Sequence, residues 1–248
     1  MPVLRINDLP LRYEIHGPGG PATKGLPLAL AHGYTASLEM WEDQIAAFGD
    51  RYRLILYDCR GHGGSAAPED MALYSMDAFA QDLRGLLEHL GVEKAYVGGM
   101  SMGGLIALHF ALGHPQMVRA LLLFDTAPGG PHLDRLMGSE ALADALAYFQ
   151  RLRLHGYLGA GLALRQAPDY APRLKELTMP VLLMAGEQDS MAQAAEEMHQ
   201  QILHSRLVLL KGAGHGSSAW RPDAFNRAVL EFLAAVEGGE LVADRMVL

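Results

Sequence analysis

A single cysteine, Cys59, stands in a chain of 248 residues, so no intrachain disulfide can form and the fold must rest on its core. No apolar run approaches the roughly 20 residues that span a bilayer. Met1 to Asp8 carry neither the basic nor the apolar segment that directs secretion, and with the unpaired cysteine the expectation is a cytoplasmic protein. Lysine and arginine number 20 against 28 acidic residues, a net charge of −8, with no basic cluster or stripe. Phosphate neutralisation dominates nucleic-acid affinity, so neither nucleic acid nor a membrane is expected as partner. A zinc ligand set such as H-E-x-x-H is absent, and Gly156 to Gly161 lack the strand and the G-x-G-x-x-G spacing of a dinucleotide site. No metal and no cofactor is expected, and a small organic molecule remains as the default partner.

What is present is an alternation. Hydrophobic residues make up 50% of the chain, enough for the core of one domain spanning 1–248. Short apolar runs at Leu28–Ala31, Leu54–Tyr57, Ala95–Val97, Leu121–Phe124, Val181–Met184 and Leu207–Leu210 read as strands buried on both faces. Between them lie segments of helical period, one from Met76 capped by Ser75 and ended by Gly91, another from Phe225 to Val236 behind Pro222. This predicts an α/β protein with a mostly parallel twisted sheet of about eight strands and helices on both faces. Val3–Ile6 and Leu11–Ile15 alternate apolar with polar residues, as an antiparallel edge hairpin would. Residues 125 to 180 break the rhythm. They contain a predicted helix from Glu140 to about Leu154, and an insertion of that size, about 128–175, is read as a short helical cap over the site.

Gly99-Met100-Ser101-Met102-Gly103 follows a predicted strand and precedes a predicted helix. In that context G-x-S-x-G describes a serine on a sharp strand-to-helix turn, its hydroxyl exposed, flanked by residues small enough for strand and helix to approach. Serine needs a base to remove its proton, and the base needs an acid to fix its tautomer. Asp189 and His215 each follow a predicted strand, so all three groups emerge at the C-terminal edge of the sheet, in the order Ser, Asp, His. Asp125, just past another strand, is a rival for the acid. Asp58, Arg60 and His62 read as polar loop positions joined by hydrogen bonds, and His32 as structural. Met100 and Met102 either line a pocket or fill gaps.

With His32-Gly33-Tyr34, Trp41, Asp58-Cys59-Arg60-Gly61-His62-Gly63-Gly64-Ser65, Ser101-Met102-Gly103-Gly104, Asp189 and Gly214-His215 in this order, the chain resembles the α/β-hydrolase family in its compact esterase, lactonase and perhydrolase branch. The resemblance implies the α/β-hydrolase fold and a serine hydrolase in which Ser101, Asp189 and His215 are catalytic. It also implies an oxyanion hole formed by the backbone N–H groups of Tyr34 and Met102. Some members take their acid from the position of Asp125; the Gly-x-x-Asp setting favours Asp189. Met100, where the family's carbon–carbon bond hydrolases carry Asn, points to small carboxylic esters or lactones. Perhydrolase, thioesterase or carbon–carbon hydrolase and lyase chemistry on the same three side chains are alternatives, as is a non-catalytic small-molecule binder. Within the cap, Leu136, Met137, Leu142, Leu146 and Phe149 are apolar enough to line the substrate pocket. The apolar tail from Leu241 to Leu248 is expected to dock on its own domain or on a neighbour, and the oligomeric state stays open.

Overall fold

The computed structural model describes residues 3–17, 27–129, 153–240 and 242–248. Its strands are β1 (Val3–Ile6), β2 (Leu9–His16), β3 (Leu28–Ala31), β4 (Leu54–Tyr57), β5 (Ala95–Met100), β6 (Val118–Phe124), β7 (Val181–Gly186), β8 (Ser205–Leu210) and β9 (Arg245–Val247). They form one sheet in the order β1-β2-β4-β3-β5-β6-β7-β8-β9. β2 pairs antiparallel with β1 and β4, and every other pair is parallel. The ninth strand, beyond the eight expected, is the tail itself. Its residues pair in parallel with β8, Leu207 opposite Arg245, and Lys211 N donates to the carbonyl of Leu248 at 2.7 Å. The tail thus docks on its own sheet.

The described helices are α1 (Glu42–Gly49), α2 (Met76–His89), α3 (Met102–Gly113), α4 (Leu154–Arg165), α5 (Ala192–Gln201), α6 (Ser217–Trp220) and α7 (Pro222–Glu237). Strand residues alternate between two cores, as a period of two requires. Ala29, Ile55, Val97, Leu121 and Leu183 join Phe79 and Leu83 of α2 and Leu105 and Phe110 of α3 on one side. Leu28, Leu54, Tyr96, Leu122 and Leu182 join Phe48 of α1 and Phe225, Val229 and Phe232 of α7 on the other. Met100 and Met102 fall one in each core, 2% and 1% exposed. The Ser75 hydroxyl accepts from Ala78 N at 3.1 Å and caps α2, and Gly91 ends that helix with φ +67°.

The predicted helix from Glu140 and the residues Leu136, Met137, Leu142, Leu146 and Phe149 lie outside the described residues. From Leu154 onward the structure shows α4, a helix not foreseen because Gly156, Gly159 and Gly161 argue against helix by propensity. Packing overrides propensity here: Gly156 lies against the backbone of Gly61, where a Cβ would overlap the Gly61 carbonyl.

The turn from β5 into α3 is governed by the same kind of contact. A Cβ on Gly99 would overlap Gly103, and one on Gly103 would overlap the carbonyl of Ala31, so helix and strand meet only where side chains are missing. Ser101, between them, is driven to φ +53° and ψ −111°, a conformation that L-residues rarely adopt. Its carbonyl accepts from Leu105 N and from Thr126 Oγ1, and its N–H donates to the carbonyl of Phe124 at 2.8 Å, which holds the strain in place. Gly103→Ala should lower stability by about 2 kcal/mol or more through overpacking. The check is the urea midpoint with an unchanged slope; an unshifted midpoint would contradict the contact.

Candidate functional site

The C-terminal ends of β3, β5, β6, β7 and β8 carry, in turn, His32–Tyr34, Ser101, Asp125, Asp189 and His215. The loops that bear them are held by main-chain hydrogen bonds. After β7, Asp189 N donates to the carbonyl of Gly186 and Gln188 N to that of Ala213, which ties the Asp189 loop to the one bearing His215. Asp189 Oδ1 accepts from Met191 N at 3.0 Å, and Oδ2 lies 2.9 Å from His215 Nδ1. Facing a carboxylate, Nδ1 carries the proton and donates, which leaves Nε2 as the free acceptor. The Asp189 side chain is fully buried, whereas 41% of the His215 side chain is exposed, so the imidazole reaches outward from a buried acid.

Ser101, at the head of α3, is half-buried, and among the described residues its hydroxyl makes no hydrogen bond. Contacts of this kind are often long without substrate and tighten when it binds. The N–H groups of the first turn of α3, beginning with Met102, have no acceptor within the helix. Chemically, a half-buried hydroxyl on a strained turn, first-turn amides beside it, and an imidazole oriented by a buried carboxylate can deprotonate an alcohol and receive a developing oxyanion.

Asp125 does not compete for His215. Its two oxygens accept main-chain N–H groups from Gly186, Gly216 and Ser217. Among the residues that sequence reasoning raised, the geometry therefore brings Asp189 to the imidazole. The Asp58 carboxylate, fully buried, accepts from Leu38 N and Gly64 N at 2.8 Å and from Arg12. His32 Nε2 accepts from Cys59 N at 2.9 Å while Nδ1 donates to the carbonyl of Gly33. Arg60 pairs with both oxygens of Asp82 at 2.6 Å. Asp58 and His32 fasten the loops after β3 and β4 to one another, and Arg60 ties the latter to α2. Burial lowers His32 to about 4 and His62 to about 3, so both imidazoles are neutral, and it pushes the Cys59 thiol well up, which makes it a poor nucleophile.

Tyr34 makes a contact that no sequence signal announced. Its ring stacks on Tyr157 of α4 at 5.0 Å, and its hydroxyl donates to the carbonyl of Tyr157 at 2.9 Å. The loop after β3 is thereby joined to α4 across more than a hundred residues of sequence. Among the described residues no group of three or more His, Cys, Asp or Glu gathers that could hold a metal ion, and no helix is long and apolar enough to cross a membrane.

A mostly parallel sheet with a strained serine elbow and an acid–imidazole pair at its C-terminal rim defines a class, and sequence comparison agrees. Residues 27–171 match the model of the alpha/beta hydrolase fold, and residues 157–240 that of the TAP-like proteins. The chain belongs to the alpha/beta hydrolase family. It is 31% identical to 3-oxoadipate enol-lactonase 2 of Acinetobacter baylyi over 91% of this chain and 94% of that protein. A Bacillus subtilis protein provisionally named 2-succinyl-6-hydroxy-2,4-cyclohexadiene-1-carboxylate synthase is 29% identical over 91% of this chain and 96% of its own length. Among solved structures, the enol-lactonase from Burkholderia xenovorans LB400 superposes with a TM-score of 0.80 at 29% identity, covering 94% of this chain and 100% of that one. Family and relatives support hydrolase activity on a small molecule.

The electrostatics set a pH expectation. Burial disfavours the imidazolium of His215, but its hydrogen bond to Asp189 and the negative charges of Asp189 and Asp125 outweigh it and raise its pKa above the ordinary value. Burial likewise opposes ionisation of Asp189, but the hydrogen bond and charge of His215 and the Met191 amide hold it below the usual range. A reaction that needs neutral imidazole should therefore rise through a midpoint above the ordinary histidine value. Asp189→Asn should move that midpoint to lower pH and reduce turnover on the order of 10⁴-fold. A pH–rate profile with the midpoint unmoved would contradict the pairing.

Proposed function

We propose that this chain is a serine hydrolase that cleaves small carboxylic esters or lactones through an acyl-enzyme on Ser101. The observation that carries the reading is the positive-φ elbow at Ser101 on the same sheet edge as the hydrogen-bonded His215–Asp189 pair. In this reading His215 Nε2 takes the Ser101 proton as the hydroxyl oxygen attacks the carbonyl carbon. The oxyanion rests on the N–H groups of Tyr34 and Met102, each worth about 3 kcal/mol in the transition state. The alkoxide leaves with the proton from His215, and water activated by the same imidazole releases the acid. Asp189 keeps the tautomer and steadies the imidazolium.

The lactonase relatives support a lactone or ester, and the segment of about 128–175 is proposed as the cap, α4 being seated on Tyr34. The single buried cysteine is in keeping with a cytoplasmic location. A second reading, synthase or lyase chemistry on the same side chains without net hydrolysis, is favoured by the Bacillus subtilis relative.

Screening p-nitrophenyl esters of increasing acyl length, together with simple lactones, tests the proposal. Hydrolysis should be fastest on short acyl groups, and Ser101→Ala should lose at least about 10³-fold in kcat. Full activity in Ser101→Ala would end the proposal, and a panel with no turnover at all would turn the assignment to the lyase reading.

A further inference from the structure

We propose that Asp125 is a positioning residue whose carboxylate gathers the main-chain amides of both partner loops and so sets the imidazole of His215 against Asp189. The inference deepens the reading above and rests on His215 acting as the base.

Asp125 is fully buried, and the groups that satisfy it are amides rather than a basic side chain. Oδ1 accepts from Gly186 N at 2.9 Å; Oδ2 accepts from Gly216 N at 3.0 Å and Ser217 N at 2.6 Å. Gly186 ends β7 just before the turn to Asp189, and Gly216 directly follows His215. One side chain just past β6 thus fastens the end of β7 and the loop after β8, which carry the side chains that must meet. The site also holds it under strain. Asp125 has φ +44°, a left-handed value uncommon outside glycine, and its own N–H donates to the carbonyl of Met184 at 2.8 Å. A buried carboxylate is costly to keep, and gap-filling alone would be met by a small apolar residue such as Ala127, which is also fully buried two positions on. Three amides converging on two carboxylate oxygens explain its presence, because an amide side chain has one accepting oxygen and would set its NH2 against an N–H donor.

The charge acts in the same direction as the geometry. The titratable groups that face Asp125 are Asp189, on the loop after β7, and His215, on the loop after β8; α6 presents only its first amides. Burial and the nearby charge of Asp189 raise Asp125 above the usual carboxylate range, against the pull of His215 and of the Ser217 and Gly186 amides. While both are ionised, two carboxylates stand behind the imidazole and favour its protonated form; once Asp125 takes up a proton, one of them is neutral. Removing the charge of Asp125 should therefore make His215 easier to deprotonate while loosening its aim.

Asp125→Asn, assayed on the best p-nitrophenyl ester, should lower kcat on the order of 10²-fold, the penalty of a small misplacement of a reacting group. KM should stay within about threefold. The acid limb of kcat/KM should move to lower pH by about one unit, since a negative charge that favoured the imidazolium has been removed. A loss of kcat with the acid limb unmoved, as a purely structural residue would give, overturns the proposal. A variant that fails to fold leaves a second readout on the unaltered protein, the low-field Nδ1 proton of His215 followed by NMR against pH. It should respond to a second titration besides its own, that of Asp125, which burial and Asp189 raise above the usual carboxylate range; a single inflection overturns the proposal. This resonance is read without turnover, so a protein inactive on every ester would remove the hydrolase reading and leave the role of Asp125 to be judged by the titration.

Discussion

The close approach of β5 and α3 is the constraint on which the rest depends. Two elements in direct succession must turn sharply, and they can do so only because Gly99 and Gly103 present no side chains where backbone meets backbone. The residue between absorbs the misfit as a positive φ, and the strain is held by hydrogen bonds to Phe124, the last residue of the adjoining strand, and to Thr126 just beyond it. The outcome is a hydroxyl that stands clear of its own helix at the rim of the sheet, next to amides that the helix leaves without acceptors. Backbone geometry, rather than any special property of serine, creates the site.

Parallel topology does the second part. Because β3, β5, β6, β7 and β8 all run the same way, their following loops share one edge, and side chains separated by many tens of residues need only short loops to meet there. Short loops are still adjustable, and the structure fastens them with buried polar side chains that accept main-chain N–H groups. Asp58 and His32 do this for the loops after β3 and β4, and Asp125 does it for those after β7 and β8. Each such group is expensive to bury, so its amide partners must be complete.

Much of this was legible in the order of residues. The strand runs were found because a strand buried on both faces is a continuous apolar run, and Ser75 and Gly91 marked the ends of α2 because capping chemistry is local. Ser101, Asp189 and His215 stood out because each follows a strand. The remainder was hidden for physical reasons. α4 carries glycines that oppose helix locally and are explained only by the backbone of Gly61, far away in the chain. Tyr34 on Tyr157 and the amides on Asp125 are long-range contacts with no spacing rule. The apolar tail announced that it docks, but not as a strand, because Arg245–Val247 is too short to show a period.

The most direct measurement of the central claim is intact-protein mass spectrometry of the folded chain after exposure to a fluorophosphonate, followed by peptide mapping. The account predicts one adduct, on Ser101, that forms rapidly in the native protein and is lost on denaturation beforehand. No adduct, or an adduct on another residue with Ser101 unmodified, would contradict it.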